Sequence, residues 1–263
     1  MTRRGLPIGL VSLLGLVLFF WPFIGRGLPP DTPAWTVALA GAAGLLLVEV
    51  GTRQLDSRQV ALLAALAAID TGLRMVVAQG IGGFSPLFFL VLCAGYVFGT
   101  SYGFLVGAFS ILVSSLAIGG AGPWVPYQVF AAGWVGVAAG LAGRWRRNAA
   151  TPGWRDLVVL ALVGALMGLV YGALMDIQDW IGYYRGNPSL GWLPGMAPAT
   201  AWLHFGRFYL VTSLVYDAFR SAGNALMVLL LGAPVLAALA RVRSRLSFEI
   251  VGETQVSPTD PPS

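Results

Sequence analysis

Apolar residues run along this chain in blocks separated by short polar or Gly/Pro-rich breaks. A helix needs about 20 consecutive apolar residues to cross a bilayer. On that measure the pattern predicts eight spans, at residues 6–25, 34–51, 58–79, 84–98, 101–118, 127–143, 155–175 and 208–240. The fourth is short. The last is long, and it either tilts or runs beyond the membrane through Arg241, Arg243 and Arg245. Arg3 and Arg4 ahead of the first block give it the look of a signal peptide, but Trp21–Arg26 contains no small-x-small cleavage site, so it reads as a membrane helix. The segment from Glu249 to Ser263 is polar and Pro-rich and reads as a disordered cytoplasmic tail. The expected fold class is an all-α integral membrane protein.

Composition agrees with the pattern. The 263 residues are 57% hydrophobic and 10% charged, where soluble domains carry about 25% charged residues. Mean hydropathy is +0.77 and the pI is near 9.8. In a soluble protein that pI would suggest nucleic acid, but here the basic residues, all of them Arg, lie between apolar spans and read as topology signals. Arg3, Arg4, Arg53, Arg58, Arg144, Arg146, Arg147, Arg155, Arg241, Arg243 and Arg245 fall on one side of an eight-span chain; only Arg26, Arg185 and Arg207 fall in loops on the other. The positive-inside rule then places both termini in the cytoplasm. The single Cys93 lies in an apolar run and the single His204 has no Cys or His neighbour, so no disulfide framework and no transition-metal site is expected.

Three loops fall outside in this topology: Gly80–Gly83, Gly119–Pro126 and the long Asp176–Arg207. The second runs Gly119-Gly120-Ala121-Gly122-Pro123-Trp124-Val125-Pro126-Tyr127-Gln128, a stiff turn carrying two amphipathic aromatics and an amide. Irregular backbone at membrane depth must be satisfied by protein or a water-filled cavity, which makes it a candidate pocket wall; the plainer alternative is a headgroup anchor for the following helix. The third loop is rich in Trp, Tyr, Gly and Pro, and reads as a lid over an outward-facing cavity.

Charges inside spans need an account. Asp70 and Arg74 stand four apart and fit an i,i+4 ion pair, with Arg74 near enough to the outer loop to face an anionic group. Asp217 and Arg220, near Asn224, fit the same explanation, and Glu49 can snorkel to the interface. Asp176 ends the seventh span and divides evenly between pocket and interface. Small residues recur at helical spacing as Ala61/Ala65, Ala64/Ala68 and Gly164/Gly168/Gly172. Such faces let helices approach closely, either within the chain or against another membrane subunit. Gly95, Gly99, Gly103 and Gly107 share the spacing but cross a turn expected at Gly99–Ser101. No phosphate-binding loop, zinc-protease motif or carboxylate cage is present, so no ATP hydrolysis by that route and no cofactor is expected.

The run Gly95-Tyr96-Val97-Phe98-Gly99-Thr100-Ser101-Tyr102-Gly103-Phe104-Leu105-Val106-Gly107-Ala108, followed by Gly122–Phe130 and Gly133-Trp134-Val135-Gly136, resembles the substrate-binding S component of energy-coupling factor (ECF) transporters. It is most similar to the actinobacterial branch grouped with predicted cobalamin transporters. The resemblance covers residues 58–245. It implies a six-helix core that binds a vitamin or related micronutrient, cobalamin foremost, from outside. It further implies association with a membrane coupling subunit and an ATPase pair, and toppling in the bacterial cell membrane to release substrate inward. The chain then divides into a two-helix extension at 1–57, the core at 58–245 and a tail at 246–263. By this resemblance Ala61, Ala64, Ala65 and Ala68 match the family's docking motif. The outer ends of the third and the sixth to eighth spans form the pocket, with Trp124 and Tyr127 stacking on a ring, Gln128 and Asp176 orienting its polar edge, and Arg74 and Asn224 as further contacts. The expected partners are the vitamin, the coupling and ATPase subunits and membrane lipids, with no nucleic acid. Two other readings compete: a membrane-embedded enzyme for lipid-linked substrates using Asp176, Asp179, His204 and Arg207, and an accessory subunit that only organises a complex.

Overall fold

The computed structural model describes residues 6–20, 23, 55–76, 85–118, 120, 122, 124–146 and 152–246. Among them are eight α-helices and no strand: α1 (Leu6–Phe20), α2 (Ser57–Val76), α3 (Leu87–Phe98), α4 (Thr100–Ala117), α5 (Val125–Ala142), α6 (Trp154–Gly182), α7 (Pro198–Thr212) and α8 (Leu214–Leu246). Of these, α4, α5, α6 and α8 are long and apolar enough to cross a membrane. The expected span at 34–51, Glu49, the Gly80–Gly83 loop and the tail beyond residue 246 lie outside the described residues.

Two expectations change. The stretch Asp176–Arg207 is not one loop: α6 continues to Gly182 and α7 takes 198–212, leaving 183–197 non-helical. Hydropathy falls at Asp176, but Ile177 and Trp180 still present a buried stripe at helical spacing, so the helix outlasts the apolar block. Pro198 then supplies a pre-set first turn for α7. The span expected at 208–240 is accordingly the end of α7, a break at Ser213 and most of α8.

The centre of the bundle is α3. Every residue from Leu87 to Val97 is buried, as expected of a helix that is apolar all round, and it touches α2, α4, α5, α6 and α8. Its 12 residues reach only about 18 Å, well short of a hydrocarbon core of about 30 Å. Gly99 alone separates α3 from α4, with φ +100°, a conformation that side-chain-bearing residues rarely adopt.

Glycine also sets how closely α3, α4 and α5 meet. A Cβ at Gly95 or Gly103 would strike the Gly136 carbonyl, one at Gly136 would strike the Gly103 backbone, and one at Gly107 would strike Ala132. The four-residue glycine spacing across the turn is thus used on both sides of it, against a single face of α5.

Cross-helix bonds fix which ends lie together. Tyr96 donates to Asp156 Oδ1 (2.6 Å), Arg243 donates to the Val97 carbonyl (3.1 Å), and Tyr102 donates to the Gln59 carbonyl (3.0 Å). These contacts bring the start of α6 and the end of α8, with Arg155, Arg241, Arg243 and Arg245, to one basic end. Trp124 and the end of α6 lie at the other, hereafter the Gly120 end. Outside this core, α1 lies on α5: Trp134 Nε1 donates to Ser12 Oγ (3.1 Å) and Phe19 meets Tyr127 edge-on at 5.1 Å between ring centroids.

Gly136→Ala forces helices apart and should cost about 1–3 kcal/mol, read as a lower Tm of the purified protein. Gly72, with open space around its Cα, is the control: Gly72→Ala should hold or raise Tm through helix propensity.

Candidate functional site

Polar side chains in this bundle collect in two seams. In the first, Asp70 and Arg74 on α2 face Ser110 and Ser114 on α4. Ser110 Oγ donates to Asp70 Oδ2 (2.8 Å) and Arg74 Nη1 donates to Ser114 Oγ (2.6 Å). The expected Asp70–Arg74 ion pair is therefore replaced by two bonds across the helix pair. Serines four apart match charges four apart, and a hydroxyl can donate to the carboxylate and accept from the guanidinium. Asp70 is fully buried, and its Oδ1 has no partner.

The second seam joins α6 to α8. Gly164, Gly168 and Gly172 form a groove that receives Asn224, Ser221 and Asp217, respectively. Asn224 Nδ2 donates to the Gly164 carbonyl (3.1 Å) and Ser221 Oγ to the Ala165 carbonyl (2.8 Å). This glycine stripe is an intramolecular contact. Asp217 pairs with Arg220 as expected, and Arg220 lies over the rings of Tyr171 (5.5 Å) and Tyr216 (5.4 Å). Ser213, at the break between α7 and α8, donates to Asp176 Oδ1 (2.9 Å).

Tyr171 joins the second seam to the central helix. Its ring meets Phe88 of α3 edge-on at 4.6 Å, and Arg220 of α8 lies over it. Of the expected binding residues, Asp176 lies in the second seam, with Asn224 further along α8 in the same seam, while Arg74 lies in the first. Trp124 instead bonds the Gly120 carbonyl through Nε1 (3.2 Å), its ring lying against Gly122. Tyr127 lies against Phe19. Gln128, one turn into α5, buries an Oε1 with no partner. Ser110, Ser114, Tyr171 and Ser213 were missed in the sequence; the matched four-residue spacing of Asp70/Arg74 and Ser110/Ser114 was the available signal for the first two.

The 183–197 loop is pinned down. Trp180 Nε1 donates to the Leu190 carbonyl (2.6 Å), and His204 Nδ1 lies 2.9 Å from the Gly191 carbonyl. Phe23 stacks on Trp202 (4.1 Å) and Trp180 (5.6 Å). His204 therefore serves the loop's architecture. On the far side of the first seam, Ala61, Ala64, Ala65 and Ala68 are all exposed, and no described helix uses them.

A family model for the ECF-type riboflavin transporter S component matches residues 53–194, from just before α2 through α6 and most of the following loop. The chain belongs to this family. It is a substrate-binding transporter subunit and not an enzyme, which removes the reading of Asp176, Asp179, His204 and Arg207 as catalytic groups. No curated protein and no solved structure matches the chain.

Ser110→Ala leaves a fully buried carboxylate with neither oxygen bonded and should cost about 1–3 kcal/mol. Ser189→Ala in the exposed loop should stay within about 0.5 kcal/mol. Chemical or thermal unfolding of the two variants in one detergent checks the contrast.

Proposed function

We propose that this S component captures a ring-bearing vitamin or related micronutrient at the Gly120 end of its 58–245 core. Cobalamin is the specific candidate from the sequence resemblance, and riboflavin is the candidate carried by the name of the matched family. The observation that carries the reading is the polar cluster of Asp176, Ser213, Asp217 and Arg220 beside Tyr171 at one end of an otherwise apolar bundle. Few polar groups in an apolar setting is the ordinary build of a small-molecule site. The short α3 supports it, because Phe88 at the start of that helix packs edge-on against Tyr171. Asn224 and Gln128 offer further acceptors, and Trp124 and Tyr127 form the aromatic wall. The 183–197 loop with α7 is the lid.

The exposed alanine face of α2 is the docking surface for the membrane coupling subunit, which works with the ATPase pair. A flat small-residue face lets a partner helix approach closely in lipid. The two-helix extension at 1–57 leaves that face open where it is described, because α1 lies on α5 and α6. The basic end faces the cytoplasm of a bacterial cell, and both termini with it, by the positive-inside rule.

Uptake of radiolabelled vitamins by cells carrying this chain with a coupling module tests the proposal. Ala65→Trp should abolish uptake while leaving binding by the purified protein intact. Asp176→Ala should weaken binding about tenfold or more, as expected for loss of one buried polar contact. Normal membrane insertion with no uptake of any vitamin would overturn it.

A further inference from the structure

The basic end gathers charge from helices far apart in sequence. The carbonyl of Tyr96, near the end of α3, lies where a Cβ on Gly143 would strike it. Its hydroxyl donates to Asp156 in the first turn of α6, and Arg243 of α8 donates to the next carbonyl, Val97. One end of α3 thus holds the end of α5, the start of α6 and the end of α8. With them come Arg144, Arg155, Arg241 and Arg245, all exposed. Little negative charge answers them. Asp156 is 2% exposed, and its two oxygens accept from Tyr96 and from the Gly153 N–H (2.7 Å). Asp56, exposed at the start of α2, accepts from the Gln59 N–H (2.7 Å) and has Arg58 two residues on.

The positive-inside rule accounts for arginines near the ends of spans. It does not account for what adjoins these. Trp154 is exposed, and the Arg155 guanidinium lies over its ring at 5.9 Å. Val158, Leu162 and Leu166 carry on from Trp154 along α6 as an exposed stripe at helical spacing. On α8, Leu226 and Leu230 are exposed four apart, and that helix ends in Arg241 and Arg245. The adjoining helices α6 and α8 therefore each run from an apolar outer stripe into guanidinium groups, with an amphipathic ring at the junction. A water-soluble protein partner would meet the arginines and leave the stripes bare. An amphiphile with a negative head meets both.

We infer that the arginine-rich ends of α6 and α8 bind anionic phospholipid, with its phosphate on Arg155, Arg241 and Arg245 and its acyl chains along the two stripes. Basic clusters at the ends of membrane helices attract anionic headgroups. Guanidinium suits the phosphate because its planar fork donates two parallel hydrogen bonds. Arg144 adds charge from the end of α5, and Trp154 sits at headgroup depth. Phosphatidylcholine, whose phosphate is offset by its own ammonium, fits less well.

The test offers the delipidated full-length chain in detergent an equal mixture of phosphatidylglycerol and phosphatidylcholine with matched acyl chains. Lipid mass spectrometry reads what stays bound after gel filtration. The anionic lipid should be retained about tenfold or more over the zwitterionic one, and added potassium chloride should shrink the preference. Combining Arg155→Gln, Arg241→Gln and Arg245→Gln should bring the ratio close to one, whereas Arg185→Gln at the other end should leave it unchanged. A ratio near one for the unaltered chain, or a preference that salt or the triple variant leaves intact, would overturn the inference. If the triple variant does not fold, Arg155→Gln alone decides: it should lower the ratio, and an unchanged ratio overturns the inference. A triple variant that keeps its lipid preference but no longer co-purifies with the coupling and ATPase subunits would assign the patch to a protein partner instead.

Discussion

The contact on which the rest of this structure depends is backbone against backbone, where α3, α4 and α5 meet around Gly136. In lipid there is little hydrophobic drive to bring helices together, so close approach and the dispersion it yields must do so. Gly95 and Gly103 face the Gly136 carbonyl, and Gly107 faces Ala132. The one-residue turn at Gly99 folds α3 back on α4 within this contact. That arrangement lets a helix as short as α3 stand buried at the centre of five others, although it is too short to span a membrane alone.

A dry, glycine-tight centre moves the polar chemistry outward to the seams that flank it. Between α2 and α4 the charges are met by serines, and between α6 and α8 they are met in a glycine groove. The two seams use small residues differently. Glycines around Gly136 remove side chains so that backbones touch. Those at 164, 168 and 172 remove them so that Asn224, Ser221 and Asp217 have somewhere to go. Polar groups held this way fix the register of α8 on α6 through specific bonds, since one turn of slippage would take Asn224 off the Gly164 carbonyl and Ser221 off the Ala165 carbonyl.

Most of the helices could be read from hydropathy, because a lipid-spanning helix must satisfy its own backbone and so declares itself as an apolar block. Where that logic stops, the reading failed. Asp176 looked like an end of helix because polarity rises there, yet Ile177 and Trp180 carry α6 onward as protein contact replaces lipid contact. The Asp217–Arg220 pair was legible because both partners sit on one helix. Asp70 and Arg74 were legible only in part: local spacing permits their pairing, but the serines that take their place come from another helix, and sequence distance hides that. Tyr171 gave no local signal. Its place arises from Phe88 and Arg220 arriving from two other helices.

The same small-residue spacing has two fates in this chain, and burial separates them. Gly164, Gly168 and Gly172 are consumed by α8. Ala61, Ala64, Ala65 and Ala68 meet no described helix, although α2 is held firmly on its other side by Asp70, Arg74 and the buried Leu63, Leu66 and Ala67. A helix fixed on one face and bare on the other is a rigid surface. The polar bonds that hold α2 in place run through Asp70 to Ser110 and Arg74 to Ser114. The exposed alanine face and the Asp70/Arg74 seam therefore sit on opposite flanks of a single helix.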